Sequence, residues 1–413
     1  MNVIKKITII AGLVLLAQMG YAQSPEIHGY VRNYTAALLE EGGDFSIIQN
    51  TLDLDIEKTG MDMAFKANPY VYHYPNDRLD YGLREGYVDL YFNSMDIRLG
   101  KQQIIWGKAD GVFITDVVSP KDLREFLLPE FEEIRMGITS LKLDYYMGNN
   151  TFDLVWVPEF VPTQYPDRES IWFPEQADFP DFADIDRSQK DIKPSIENSE
   201  IFAKYSLLSS NFDLELMGGY MWDDDPAMHT ERYMDPQAQM PDSLVIKPEH
   251  HRISLAGGSF STEIEGVVLR GEGAFYDDKY FMVDDRSNPD GTITKDYAHY
   301  LVGVDFILGG MNVSTQFIQE TVFDHEDVMR QDQYSNTMTF LVKDDFFRDK
   351  LTLEFFMYYG LDNQGALIRP TATYEVASGV NLIAGANLFT GTEGRFGQYN
   401  KNDMAYFKLR YDF

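Results

Sequence analysis

The segment MAYFKLRYDF, residues 404–413, decides the fold. Its apolar side chains fall on alternate positions, which are Ala405, Phe407, Leu409, Tyr411 and Phe413. The charged side chains fall between them, at Lys408, Arg410 and Asp412. Successive side chains of a strand point to opposite faces, so this pattern predicts a strand with one apolar face and one wet face. A strand that supplies the last residue is unusual in a soluble sheet, because chain ends fray.

This terminal strand resembles the C-terminal signal of bacterial outer-membrane barrels, in which an aromatic residue ends the chain. In such a barrel the last strand pairs with the first and closes the wall. The resemblance implies recognition by the barrel-assembly machinery, contact with outer-membrane lipid and location in the outer membrane of a Gram-negative bacterium.

The N-terminal segment has the features of an export signal. Lys5 and Lys6 precede an apolar run over residues 7–17, and Gly20-Tyr21-Ala22 supplies small residues where a signal peptidase cuts. We therefore expect a signal peptide over 1–22 and a mature barrel over 23–413. The alternative, a single membrane helix, needs about 20 apolar residues, and this run is shorter.

Composition narrows the class of protein. The 413 residues include no cysteine, which excludes disulfides, thiolate metal sites and a cysteine nucleophile. The 28 phenylalanines, 26 tyrosines and 31 glycines suit a wall of strands with aromatic girdles. The net charge of -31 argues against nucleic acid as a partner, because phosphate binding needs clustered lysine and arginine.

Alternating segments recur along the chain and predict an all-β, transmembrane antiparallel barrel of about eighteen strands, with about sixteen as the alternative. Tight turns such as Gly148-Asn149-Asn150 and Gly309-Gly310 separate longer stretches. The longer stretches cover 107–133, 159–198, 223–248, 277–296 and 323–332. Short turns on one rim and long external loops on the other are typical of bacterial barrels. A soluble sandwich or parallel β-helix would predict neither this asymmetry nor the aromatic terminus.

The most distinctive motif is GKQQIIWG, residues 100–107, followed by SPKDLR at 119–124. The motif residues are Gly100, Lys101, Gln102, Trp106 and Gly107. Over about residues 84–147 the sequence resembles an uncharacterised porin-like family of Gram-negative outer-membrane proteins. The resemblance implies a β-barrel connected with the export or passage of lipidic or other organic compounds. Trp106 has an apolar body and one donor, which suits a girdle or a pore mouth.

Residues 107–133 are predicted to fold into the lumen and narrow it. A short helix is expected over 121–128, ended by Pro129. The charged constriction candidates are Lys108, Asp110, Asp116, Lys121, Asp122, Arg124 and Arg135. Charges of both signs at a constriction would favour polar or zwitterionic solutes. The alternative is that these charges pair with one another and pin the loop.

Several charged residues fall on the wet faces of predicted strands. These lumen-lining candidates are Asp53, Asp55, Asp89, Arg98, Lys408 and Arg410. Acidic residues are also concentrated in 159–198 and at Asp223-Asp224-Asp225, where they form a solvated face or bridge divalent cations. No segment has a recognised metal-ligand spacing, so neither a metal site nor a cofactor is predicted.

An enzymatic function is not expected. The sequence has no G-x-S-x-G or H-E-x-x-H pattern, and no glycine-rich nucleotide motif. A hydrolase at the rim would rest on His251 or His325 alone.

The prediction is a porin-like channel or transport component for small organic or lipidic molecules, passive or driven by a periplasmic partner. A plugged surface barrel with structural or adhesive, cation-binding loops is the alternative. The solute and the oligomeric state are left open.

Overall fold

The structure, a computed structural model, describes residues 24–40, 44–75, 78–174, 183–188, 191–234, 241–285 and 287–413. The predicted signal peptide, residues 1–22, lies outside the described residues.

The described residues form 21 strands and two four-residue helices. The strands are β1 (Glu26–Leu38), β2 (Phe45–Thr59), β3 (Met63–His73), β4 (Leu79–Tyr91), β5 (Met95–Gln102), β6 (Ile138–Met147), β7 (Asn150–Val157), β8 (Ala183–Ile185), β9 (Glu200–Leu208), β10 (Phe212–Trp222), β11 (Ala227–Met234), β12 (Pro241–Glu249), β13 (Arg252–Ile264), β14 (Val267–Met282), β15 (Thr292–Leu308), β16 (Met311–Val322), β17 (Tyr334–Phe346), β18 (Leu351–Gly360), β19 (Ala366–Ala377), β20 (Val380–Thr390) and β21 (Met404–Asp412). The helices are Phe131–Ile134 and Gly394–Gly397.

Eighteen strands form a closed antiparallel barrel, which confirms the predicted fold. Each barrel strand pairs with the barrel strands before and after it along the chain, and β21 pairs with β1 to close the ring. At the closure, the backbone nitrogen of Gly29 donates to the carbonyl of Phe413, and the nitrogen of Phe413 donates to the carbonyl of Gly29, both at 3.0 Å. The terminal aromatic residue is therefore part of the seam, and the eighteen described barrel strands leave no edge of the wall open.

The two rims of the barrel differ as predicted. The start of β1 and the end of β21 both lie at the turn rim. This rim also carries connections of two to four residues, such as 148–149, 309–310 and 347–350. The loop rim carries the long connections, including 103–137, 158–199, 223–251 and 391–403. The three remaining strands, β8, β11 and β12, form a separate small sheet on the loop rim, which the sequence analysis did not predict.

Burial shows which face of each barrel strand points outward. On β21, Leu409 is 44% exposed, whereas Lys408 is only 6% exposed. On β1, Val31 is 43% exposed and its neighbour Arg32 is 5% exposed. The apolar residues therefore face out and the charged residues face the interior, as expected for a wall with lipid outside and polar groups within.

Residues 103–137, here called the inserted segment, enter the barrel between β5 and β6. The predicted helix over 121–128 is wrong, because Lys121 forms an isolated bridge with Arg135 and Asp122 forms one with Gln164. These extended contacts exclude helical backbone at that point. The helix lies instead at Phe131–Ile134, beyond Pro129.

None of the helices in the described part of the chain has the length and apolar character that a membrane crossing requires.

Candidate functional site

Gly100 lies in β5, three residues before the inserted segment begins. This glycine has a φ of +139°, and a Cβ added there would lie 2.3 Å from the carbonyl oxygen of Gly86 on β4. Such a backbone favours glycine and allows close approach of the two strands. The next two motif residues, Lys101 and Gln102, bind backbone carbonyls of the strands on either side of β5. Lys101 donates from Nζ to the carbonyl of Leu83 at 2.5 Å, and the buried Gln102 donates to the carbonyl of Ser140 at 3.2 Å.

Trp106 does not lie at a girdle or a pore mouth. Its side chain is buried in an apolar cluster between the inserted segment and the wall, where its ring meets Phe202 edge-on at 6.3 Å. A second cluster surrounds Ile114, and a third includes Leu127 and Leu128. These clusters pack the segment against buried side chains of β1 and of most wall strands from β7 to β21.

Polar contacts fix the inserted segment to distant strands. Tyr358 on β18 donates to the carbonyl of Gly111 at 2.6 Å, and Gln316 on β16 donates to the carbonyl of Asp110 at 2.8 Å. Arg369 on β19 donates to the carbonyls of Leu127 and Leu128 at 3.0 and 2.9 Å. Because these carbonyls are satisfied by wall side chains, the segment lies across the interior rather than above the rim.

Two cavities lie beside strands β1 to β4. The loop-side cavity has a volume of about 520 Å³ and the turn-side cavity about 600 Å³. The loop-side cavity is lined by residues that include Tyr74, Arg78, Asp122, Arg124, Glu125 and Lys408. The turn-side cavity is lined by residues that include Asp53, Asp55, Lys66, Glu85, Arg98 and Arg410. Glu133 of the inserted segment lines both cavities, so it marks the boundary between them.

Arg32 holds Glu133 from the side of β1. Arg32 Nη2 lies 2.8 Å from Glu133 Oε1, and Nη1 lies 3.3 Å from Oε2, so the guanidinium engages both oxygens of the carboxylate. Arg32 Nη2 also lies 3.2 Å from Gln49 Oε1, and the Tyr30 hydroxyl donates to Glu133 at 3.4 Å. Two-pronged pairing of this kind fixes orientation as well as distance.

Arg84 on β4 approaches the same carboxylate from the turn side. Its Nη2 lies 3.6 Å from Glu133 Oε1, and its Nε donates to Asp53 at 3.0 Å. It also contacts the hydroxyl of Tyr72, and its guanidinium lies 4.7 Å from the ring centre of Tyr70. The boundary is therefore a cluster of two arginines, one bridging glutamate and several tyrosines. We call Tyr30, Arg32, Tyr72, Arg84 and Glu133 the boundary cluster.

Two carboxyl groups of the inserted segment have opposite pKa shifts. Burial opposes ionisation of Glu133, but Arg32 and then Arg84 outweigh it and lower the pKa of Glu133 below its ordinary value. Burial raises the pKa of Glu125, and the charges of Glu133 and Asp122 raise it further. Glu133 thus stays ionised between the two arginines, while the loop-side cavity holds a carboxyl, Glu125, that gains a proton more readily.

The predicted constriction residues lie at different places in the barrel. Lys108 lies 3.5 Å from Glu215 on the wall, and Asp110 pairs with Arg270 on β14. Asp116 pairs with Arg135, while Lys121 lies with its Nζ 5.6 Å from the ring centre of Phe113. Of these seven, Asp122 and Arg124, paired at 2.5 Å, line the loop-side cavity. Lys108 and Asp110 tie the segment to the wall, whereas Asp116, Lys121 and Arg135 make contacts within the segment.

The lumen-lining candidates lie on the inner face of the wall, most of them in pairs. Asp89 pairs with Arg98 at 2.7 Å, and Arg410 pairs with Asp412 at 2.8 Å. Lys408 reaches Glu130 of the inserted segment at 3.2 Å. Asp55 lies 3.0 Å from Lys66, which also contacts Glu57 and Glu85.

Sequence reasoning missed the boundary cluster as a unit. The sequence does carry a signal, because Tyr30, Arg32 and Tyr34 alternate on β1, while Tyr70 and Tyr72 alternate on β3 and Tyr74 follows just after its end. An arginine with aromatic residues two positions before and after it places all three side chains on one face of the strand, here the face toward the lumen. Only the fold brings that face to Glu133, about a hundred positions along the chain.

The family described as "Protein of unknown function (DUF1302)" matches residues 57–351. No curated protein matches the sequence. Among solved structures, the chain is similar to OccK2 (OpdF) of Pseudomonas aeruginosa in complex with glucuronate, with a TM-score of 0.55, 11% identity and coverage of 96% of this chain and 99% of that one. It is also similar to OccK5 (OpdH) of the same organism, with a TM-score of 0.54, 10% identity and coverage of 95% and 99%.

A third similar structure is OccAB3 of Acinetobacter baumannii, with a TM-score of 0.53, 9% identity and coverage of 94% and 99%. At these identities the likeness concerns the fold. The chain has the closed eighteen-stranded barrel of outer-membrane porins.

Proposed function

We propose that this chain, which belongs to the DUF1302 family, is a porin-like channel in the outer membrane of a Gram-negative bacterium, and that it passes small polar organic solutes. The observation that carries the proposal is the pair of cavities beside β1 to β4, which meet at Glu133. An eccentric path of this kind would run from the loop rim, past the boundary cluster, to the turn rim. Its walls carry charges of both signs, which favours polar over apolar solutes.

Solutes with a carboxylate are the class that we favour. Arg32 and Arg84 both face Glu133, and a carboxylate on a solute would compete with Glu133 for the same two guanidinium groups. Arginine suits planar carboxylates because its donors form a rigid fork. The glucuronate in the similar OccK2 (OpdF) structure is a solute of this chemistry, and it serves here as a probe.

A plugged surface barrel is the second candidate, because apolar clusters around Trp106, Ile114 and Leu128 fill much of the interior. The inserted segment would then be a permanent plug, and the acidic loops would carry the function. The two proposals differ in whether the boundary between the cavities passes ions.

Planar-bilayer recording of the protein purified from outer membranes separates these candidates. The channel predicts stable current steps in potassium chloride, and the Glu133→Gln variant should give a larger conductance with less preference for cations. Glu265→Gln is the matched control, because Glu265 is exposed at the turn rim outside both cavities. Folded protein that stays silent at every salt concentration would overturn the channel and favour the plug.

Solute passage is tested with the same protein in liposomes. Glucuronate should enter faster than an uncharged sugar of similar size, and an apolar solute should gain nothing from the protein. Equal rates for glucuronate and the uncharged sugar would overturn the proposed solute class while leaving the channel itself supported by its conductance.

A further inference from the structure

Two histidines of the loop rim face each other through their ring nitrogens. Nε2 of His229, on β11, lies 2.7 Å from Nε2 of His251, which lies between β12 and β13. Glu249, the last residue of β12, offers a carboxylate oxygen to the same space. One ligand atom from each of these three side chains lies within 4.8 Å of the other two. Three donors thus converge on one point that the proposed channel does not use.

The neighbouring Asp290 orients His229 toward that point. Nδ1 of His229 lies 2.9 Å from both carboxylate oxygens of Asp290. This partner assigns the ring proton to Nδ1, so that the lone pair of Nε2 points at His251 and Glu249. A histidine that ligates a metal commonly donates its other ring N–H to a carboxylate in this way. Thr292 in turn donates its hydroxyl to Asp290.

The cluster is held by packing and backbone contacts. The ring of Tyr280 on β14 stacks on His251 with ring centres 4.0 Å apart and an angle of 20° between the planes. His229 and Glu249 lie near each other because β11 and β12 pair, with Ala227 opposite Glu249. The backbone nitrogen of Thr230 donates to the carbonyl of Asp290 at 2.7 Å, so the β11–β12 hairpin is already docked on the 283–291 loop.

We propose that His229, Glu249 and His251 bind one divalent transition-metal ion, of the chemistry of Zn²⁺, with Asp290 as the positioning residue. Two imidazole nitrogens and one carboxylate form a donor set that suits zinc, whereas Mg²⁺ and Ca²⁺ prefer oxygen ligands throughout. A bound water would complete four-coordination. The ion would tie the β11–β12 hairpin to the start of β13 and, through Asp290, to the 283–291 loop.

The required adjustment is small. Zinc–nitrogen bonds of about 2.0 Å in a tetrahedral site place two ligating nitrogens about 3.3 Å apart, so the two rings must separate by about 0.6 Å. Without a metal the two nitrogens share a hydrogen bond at 2.7 Å. The two imidazoles can therefore adopt both arrangements with a small movement, and neither histidine lies on a barrel strand.

The test is a zinc titration of the full protein, purified without a polyhistidine tag and treated with a chelator. Calorimetry and elemental analysis after dialysis should show one tightly bound Zn²⁺ per chain that excess Mg²⁺ does not displace. His229→Ala and His251→Ala should lose this ion, and Asp290→Asn should weaken binding about ten- to hundredfold. Heat-modifiable gel migration checks that each variant is folded, and His229→Asn and His251→Asn provide second, milder variants.

Two controls separate this site from incidental binding. His325→Ala removes a histidine of another loop, and Asp278→Asn alters the acidic group Asp277, Asp278 and Asp296, so neither should change the tight ion. Absence of a saturable ion in the wild type would overturn the proposal, as would tight binding that survives in His229→Ala or His251→Ala. Since the readout is the metal itself, the result is independent of whether the barrel conducts.

Discussion

Glu133 Oε1, on the inserted segment, lies 2.8 Å from Nη2 of Arg32, on the first strand of the barrel. The side chain of Arg32 is 4% exposed and that of Glu133 is 12% exposed, so the pair is shielded from bulk solvent. A shielded pair costs desolvation, and it is strongly unfavourable to remove one partner alone. The pair therefore connects two properties of the molecule, the position of the inserted segment and the charge at the boundary between the cavities.

A double-mutant cycle on this pair should show strong coupling. Arg32→Gln and Glu133→Gln are each expected to lower the free energy of unfolding by about 3 kcal/mol, because each leaves a buried charge without its best partner. The double variant should lose less than the sum, with a coupling energy of about 1–3 kcal/mol. Urea unfolding of the protein in lipid vesicles measures all four species. Additive losses would mean that the contact does not pin the segment.

The barrel could be predicted from sequence because its strands alternate in hydropathy and its turns are short. The small sheet could not be predicted in the same way. Its strand β12 contains Pro241 and Pro248, and proline inside a run argues against a strand because it lacks the N–H that pairs. These strands also belong to long loops, where neither alternation nor turn spacing guides the reading.

The site was only partly predictable for a different reason. The sequence indicates that Lys108, Asp110 and Arg135 are charged and lie near a loop, but it does not give their partners. Asp110 meets Arg270 across 160 positions of chain, and such long-range pairs depend on how the closed barrel places its strands. Which charges pin the segment and which line a cavity is decided by that placement alone.

Replacing Arg84 by glutamine should slow glucuronate entry into liposomes about tenfold. A charge-assisted hydrogen bond contributes roughly 1.5–3 kcal/mol, and 1.4 kcal/mol corresponds to a factor of ten. Entry of an uncharged sugar should change little. Arg330→Gln is the control, because Arg330 pairs with Asp284 on the loop rim and lines neither cavity. A similar slowing of both solutes would point to a distorted pore instead of a lost carboxylate contact.

The channel's preference for cations should fall on acidification. The fall should begin at a pH above the ordinary pKa of a glutamate, because burial raises the pKa of Glu125 in the loop-side cavity. The ionised carboxylate attracts cations at high pH, and protonation removes that charge as the pH falls through its raised pKa. Reversal potentials in a potassium chloride gradient, recorded from pH 8 to pH 4, measure the change. Glu125→Gln should flatten the upper part of this profile.

The control for this titration is Glu326→Gln, which alters an exposed carboxylate of the 323–333 loop. It should leave the profile of the wild type in place. The assignment to Glu125 would be contradicted if the wild-type profile stayed flat on acidification until the pH reached the ordinary pKa range of exposed carboxylates.

Gly100→Ala should destabilise the barrel in β5, just before the inserted segment begins. The added Cβ would lie 2.3 Å from the carbonyl oxygen of Gly86 and 2.7 Å from Cα of Tyr87, and the φ of +139° is unfavourable for alanine. Strain of this kind costs about 1–3 kcal/mol, measurable as a lower urea midpoint at unchanged slope. Gly218→Ala is the matched control, since its Cβ would meet only the carbonyl of Leu255 at an ordinary 3.5 Å. Because the control glycine carries no such strain, a loss at Gly218 as large as that at Gly100 would show that backbone strain at Gly100 is not the cause of the destabilisation.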